Sequence, residues 1–177
     1  MIETKDLILR KAMFEDWRDM YERVWSREET ARYMLWEVTR CEEDAKSRME
    51  RTVQFQQVNP TAFLVCERKN GRAIGFAGIK EIREGVYEDC GVAVGPEYVG
   101  KGYGKQVLNA LVELVFGELG ADRFICSCRA ENEASRRLQL SCGFWFSHTE
   151  DRTDPRDGMP YVVEFYELTR QTVGDGK

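Results

Sequence analysis

Between Val92 and Phe116 the chain reads VAVGPEYVGKGYGKQVLNALVELVF, and few backbone arrangements satisfy that order of residues. A short apolar run closes at Gly95-Pro96, a glycine-rich turn follows, and Val107, Leu108, Leu111, Val112 and Val115 then recur at helical spacing. The segment therefore predicts a strand, a loop and a helix. The loop holds Gly100, Gly102 and Gly104, which lack a Cβ and let a bulky ligand approach the backbone. Because the loop opens a helix, unpaired N–H groups and the positive end of the helix dipole face one concavity, which suits an anionic phosphate. Lys101 and Lys105 add mobile positive charge. A cradle for a pyrophosphate is the first expectation.

Three kinds of phosphate loop compete for these residues. A dinucleotide fold needs G-x-G-x-x-G and a distant acidic partner, whereas the spacing here is G-x-G-x-G, with Asp122 but no second βαβ repeat after it. An ATP-type loop needs G-x-x-x-x-G-K-[ST]. Gly95 to Lys101 supplies all of it but the last residue, where Gly102 replaces the hydroxyl that would hold magnesium. The third kind is Q/R-x-x-G-x-G/A. Val99-Gly100-Lys101-Gly102-Tyr103-Gly104 resembles that loop, the acyl-coenzyme A loop of the GNAT N-acetyltransferases, with Val99 in place of Gln or Arg. Downstream, Asn132-Glu133-Ala134-Ser135-Arg136-Arg137-Leu138 with Cys142-Gly143-Phe144 resembles the N-x-x-S-x-x-L…G-F helix of the same superfamily. Thr4 to Arg10 followed by Asp16 is similar to the opening of the branch that includes the ribosomal-protein N-terminal acetyltransferases, RimJ and RimL. Pro96-Glu97-Tyr98 and Gly100 to Gly104 also resemble that branch. The likeness covers nearly the whole chain.

The resemblance implies a mixed α+β fold: a mostly antiparallel central sheet with one splayed parallel pair, flanked by helices. Residues 1–171 would form a single acetyltransferase domain and 172–177 a flexible tail. It implies acetyl-coenzyme A as acyl donor, no metal, and a primary amine as acceptor, either a protein N-terminus or a small molecule. The amine would attack the thioester directly in a ternary complex. Counting back from Pro96, Asp89 takes the position of the general base, with Glu88 beside it in reserve. Val92, Ala93 and Val94 would bond the pantetheine amides, with a backbone N–H near Val92 facing the developing oxyanion. Val99, Gly100, Lys101, Gly102, Tyr103, Gly104 and Lys105 would hold the pyrophosphate, and Asn132 and Ser135 would also meet the coenzyme. Many relatives carry an acidic Tyr seven residues after that Asn. Gln139 stands there instead, and Ser135 becomes the alternative partner of the departing sulfur. Tyr33 and Trp36 are candidates for the acceptor groove. A non-catalytic acyl-coenzyme A binding or sensing protein is the second reading, and a nucleotide-triphosphate enzyme a distant third.

At 177 residues and a net charge of −5, with no long Lys/Arg block, the chain suggests one soluble domain and no nucleic-acid stripe. The six cysteines form no C-x-x-C pair, and the single histidine, His148, has no nucleophile set beside it, so neither a metal centre nor a hydrolase triad is expected. Nothing reads as a signal peptide, and the longest apolar segment is broken by Asn109 and Glu113. The expectation is a cytoplasmic protein with no membrane partner; a homodimer is left open.

Along the chain, Leu7 to Leu9 predicts a strand; Trp17, Met20, Tyr21, Val24 and Trp25 an amphipathic helix; and Glu29 to Trp36 a short second one. Thr39-Arg40-Cys41-Glu42 reads as a capping box before a helix from about residue 40 to the mid-fifties. Strands are expected over Ala62–Glu67, Ala73–Ile82, Val86–Val94 and Arg123–Arg129, and a helix capped by Asn132 and ended by Gly143. A closing hairpin of Trp145–Thr149 and Tyr161–Leu168 would be joined by a solvated charged loop from Glu150 to Pro160. That loop's carboxylates could draw in a cationic amine.

Overall fold

The computed structural model describes residues 1–170, so the expected tail at 172–177 lies outside the described residues. Among the described residues β1 (Ile2–Glu3), β2 (Leu7–Arg10), β3 (Ala62–Glu67), β4 (Ala73–Arg83), β5 (Val86–Val94), β6 (Arg123–Arg129), β7 (Trp145–Thr153) and β8 (Pro160–Thr169) form one mixed sheet in the order β1-β2-β3-β4-β5-β6-β8-β7. The described residues divide into two compact units, Met1–Gly78 with Gly91–Val107, and Ile79–Cys90 with the described chain from Leu108.

In the first unit, β1 (Ile2–Glu3) and β2 (Leu7–Arg10) are antiparallel. Alternation fixes the faces: Leu7 and Leu9 are fully buried while Ile8 and Arg10 are partly covered. β2 pairs antiparallel with β3 (Ala62–Glu67), setting Leu9 opposite Val65, and β3 pairs antiparallel with β4 (Ala73–Arg83). Over this sheet lie α1 (Trp17–Met20), a wide π-type turn at Tyr21–Trp25, α2 (Glu28–Ala31) and α3 (Glu42–Val58). The expected aromatic stripe divides at its edge. Met20, Val24 and Trp25 are core, with Trp17 and Tyr21 packed at the margin.

Two local expectations are corrected here. The second helix is only the single turn of α2, and residues 32–36 continue as turns. The capping box does not form. α3 starts one residue after Cys41, which gives no side-chain cap, and the Thr39 hydroxyl instead accepts a hydrogen bond from Arg48 Nη1 at 3.0 Å. The reason is burial: Thr39 is turned inward, with its own N–H on the Trp25 carbonyl, so its side chain serves the guanidinium rather than the helix end. Glu42, Glu43 and Asp44 in the first turn complement the dipole in its place.

In the second unit, β5 (Val86–Val94) and β6 (Arg123–Arg129) pair in parallel from Val86↔Arg123 to Glu88↔Ile125. β6 then pairs antiparallel with β8 (Pro160–Thr169), which pairs antiparallel with β7 (Trp145–Thr153). Phe124, Cys126 and Cys128 alternate into the core, and Phe144 meets Phe124 edge to face. The closing hairpin is longer than its charges suggest, because residues 150–153 continue β7 and leave a loop of only 154–159. Asp154 is not solvated: it is 2% exposed and bonded to both Arg129 and Arg156. Those bonds, Arg156 foremost, hold its carboxyl well below the usual carboxylate range. Among the described residues no helix is long and apolar enough to cross a membrane.

Candidate active site

The expected site residues are divided between the units. Val92 to Val94, the loop from Val99 to Lys105, Tyr33 and Trp36 belong to the first, while Glu88, Asp89, Asn132 and Ser135 belong to the second. In the first unit, β5 ends at Val94, a single 3-10 turn covers Pro96–Tyr98, and α4 (Tyr103–Glu113) follows. Gly100 and Gly102 have φ of +81° and +76°, in the left-handed region that a side chain resists. A Cβ built on either would meet nothing within 4 Å. Backbone conformation rather than crowding therefore requires glycine at both positions, and the space above them is open. Gly104 lies within α4, and the first amides of a helix have no intrahelical acceptor. Lys101 and Lys105 are exposed, with Lys101 Nζ held 4.9 Å from the Tyr98 ring centroid. Val99 is also exposed.

The loop is held from below by residues that the motif does not name. Gln106 Oε1 accepts from Thr4 Oγ1 at 2.8 Å and from the Asp6 N–H at 3.0 Å, while its Nε2 donates to Asp6 Oδ2 at 2.7 Å. The first turn of α4 is thereby tied to the β1–β2 turn. Tyr98 and Tyr103 stack with centroids 6.3 Å apart, and the Tyr103 hydroxyl lies 3.5 Å from Glu67 Oε1. Glu67 is buried, which pushes its carboxyl up. Hydrogen bonds from Asn70 and Lys69, with the Lys69 and Lys101 charges, outweigh burial and hold it below its ordinary value.

In the second unit the parallel ladder gives way to a side chain at its next step. Asp89 Oδ1 accepts the backbone N–H of Ser127 at 2.9 Å. Glu88 pairs with Lys80 at 3.2 Å. Asn132 caps α5 (Glu133–Ser141), its Oδ1 accepting from the Ser135 N–H at 3.2 Å as expected. Ser135 Oγ in turn accepts from Gln139 Nε2 at 3.2 Å. Burial pushes the neighbouring Cys128 thiol up to about 11 against a hydrogen bond with Ser135 that lowers it.

Residues 6–145 match the family model of the acetyltransferase (GNAT) domain. The chain belongs to the GNAT acetyltransferase family. It is 31% identical over 143 residues to an uncharacterised N-acetyltransferase, YnaD, of Bacillus subtilis, covering 80% of this chain and 81% of that one. A putative ribosomal-protein-serine acetyltransferase from Vibrio cholerae has the same fold, with a TM-score of 0.80, 24% identity and coverage of 95% and 96% of the two chains. So has a spermidine N-acetyltransferase from Vibrio cholerae, solved with CoA and spermine, with a TM-score of 0.76, 18% identity and coverage of 96% and 98%.

In this N-acetyltransferase the strand that leads to the loop depends on glycines that the loop motif does not include. Gly91 has a φ of +106°, a kink inside β5 that a lone glycine in a strand pattern could have signalled. A Cβ on Gly75 would lie 2.2 Å from the Ala93 carbonyl oxygen, so β4 and the Val92–Val94 segment touch backbone to backbone. Gly75→Ala is therefore expected to destabilise the enzyme by about 1–3 kcal/mol, the usual cost of overpacking. Gly78→Ala, whose Cβ would stand 3.5 Å from the nearest atom, is expected to leave the thermal midpoint nearly unchanged. Thermal unfolding of the pair measures the difference; equal midpoints would mean that β4 can retreat from Ala93.

Tyr33 and Trp36 are half-buried, the Tyr33 ring 5.2 Å from the Arg32 guanidinium and the Trp36 ring 4.3 Å from that of Arg48. His148 is exposed and lies flat on Phe165 at 4.5 Å, an ordinary surface packing role.

Proposed function

We propose that the protein transfers an acetyl group from acetyl-coenzyme A to a primary amine, a protein N-terminus or a small molecule, by direct attack within a ternary complex. The observation that carries this is the pair of left-handed glycines, Gly100 and Gly102, with open space above them at the entrance to α4. In this reading the Val99–Lys105 backbone and the positive end of α4 receive the pyrophosphate, with Lys101 and Lys105 adding charge from its rim. Val92 to Val94 pair with the pantetheine amides as an added strand would.

The chemical demand is on protons. A free amine is largely protonated at pH 7 and must lose that proton before attack. Asp89 takes it, directly or through water, with Glu88 in reserve. A backbone N–H near Val92 faces the developing oxyanion. Gln139 donates to Ser135 Oγ, and the Ser135 hydroxyl, which meets the Cys128 thiol in the free protein, turns its hydrogen to the departing sulfur. Tyr33 and Trp36 line the acceptor's path. The opening motif, the Pro96-Glu97-Tyr98 and Gly100–Gly104 segments, and the likeness to the ribosomal-protein-serine enzyme favour the RimJ and RimL-like branch. The spermidine enzyme is an example of an amine acceptor on this fold.

Thermal unfolding with acetyl-coenzyme A, coenzyme A and Mg-ATP in parallel tests the reading. At about a hundred times its dissociation constant a ligand adds roughly 2.7 kcal/mol, or about 5–10 °C in Tm for a chain of this size. Both coenzymes are expected to raise Tm and Mg-ATP to leave it unchanged. A rise with Mg-ATP alone would sink the acetyltransfer reading.

A further inference from the structure

Alongside α3 the first unit contains a groove of about 540 Å³, lined on one side by Trp36 to Thr39 and on the other by Asp44, Arg48, Arg51, Thr52 and Phe55. That volume lies within the range of small-molecule sites. None of these residues belongs to the glycine loop, and of the acetyl-transfer residues named above only Trp36 is shared.

The groove's charges are unusually placed. The Arg48 guanidinium lies against two indoles, 4.7 Å from the Trp25 ring and 4.3 Å from the Trp36 ring, and Nη1 donates to Thr39. Among the described residues no carboxylate pairs with it or with Arg51, although Glu37 and Asp44 line the same groove. Burial and the adjacent Arg51 charge pull the Arg48 guanidinium down to about 10. A half-buried cation held only by aromatic faces and one hydroxyl is under-compensated, and an oxyanion would relieve it. Apolar surface is present as well, since Phe55 is 53% exposed beside these arginines.

We propose that this groove binds a small amphipathic carboxylate, its head held by Arg48 and Arg51 and its apolar body resting on Phe55 and Trp36. A planar carboxylate matches the guanidinium fork in shape. Glu37 and Asp44 on the same groove repel a multivalent anion more than a monoanion, which disfavours phosphate. The two indoles and the Thr39 hydroxyl make Arg48 a preformed half of the site, so little side-chain freedom is lost on binding.

Titration of the full chain with phenylacetate, inorganic phosphate and phenethylamine, followed by tryptophan fluorescence and calorimetry, tests the assignment. Phenylacetate is expected to bind saturably, with phosphate and phenethylamine each at least about tenfold weaker, the scale of a lost charge-assisted pair. Arg51→Met, an exposed position, should weaken phenylacetate about tenfold while leaving acetyl-coenzyme A affinity unchanged. Arg48→Met, which keeps an unbranched side chain between the indoles, should do the same if it folds. Absence of a saturable response to phenylacetate, equal or tighter binding of phosphate or phenethylamine, or an Arg51→Met variant that binds normally would each overturn the proposal.

Discussion

Gly102→Val is expected to abolish binding of acetyl-coenzyme A while leaving a folded protein. At φ +76° a β-branched residue is strained by about 1–2 kcal/mol, which for a chain of this length lowers Tm by only about 2–8 °C. The isopropyl group would stand in space that is open in the free protein, where the proposed reading seats the pyrophosphate. The affinity loss should therefore far exceed the stability loss, by at least about a hundredfold, equivalent to ~2.7 kcal/mol. Calorimetric titration of a variant shown to be folded by circular dichroism separates the two effects. Undiminished affinity in that folded variant would move the cradle elsewhere.

Asp89→Asn should show the converse pattern, intact coenzyme binding with turnover down by about 10²–10⁴, the usual contribution of a positioned base. The substitution is a clean one because the amide oxygen can still accept the Ser127 N–H that Asp89 Oδ1 holds at 2.9 Å. Asp89→Ala, by contrast, would leave that strand amide without its partner and confuse loss of fold with loss of base. Steady-state rates of thiol release at saturating acetyl-coenzyme A give the comparison. If Asp89→Asn turns over normally, Asp89 is not the base, and Glu88→Gln becomes the informative variant.

Much of the architecture was legible because strand and helix periods differ so plainly in this chain. Ala62–Glu67, Val86–Val94 and Arg123–Arg129 occur where alternation and turn residues predict them, and Asn132 caps α5 as its spacing suggests. What escaped was set by tertiary context. Thr39 looked like a cap and proved to be a partner for a half-buried guanidinium set against aromatic rings, a contact invisible to local reading. Asp154 looked solvated because its neighbours are charged, yet two of the chain's arginines close over it. At the candidate site the glycine loop was readable from the order and spacing of its residues, whereas its support was not. Gln106 acts through Thr4 and Asp6, about a hundred positions away. The kink at Gly91 carried one weak signal, a glycine within a strand.

The division of the chain has a consequence for how the protein can be made. The first unit is built from residues 1–78 and 91–107, the second from 79–90 and the described residues after 107. Neither is a continuous length of polypeptide. A nascent chain that has emerged only as far as Gly78 still lacks Gln106, the residue that fastens α4 to Thr4 and Asp6, and closing so long a loop is a slow, late event. Cutting the gene at any single codon would divide at least one unit, and joining the ends and reopening the chain elsewhere would still leave each unit in two pieces, so no single-cut fragment of this enzyme is expected to fold alone.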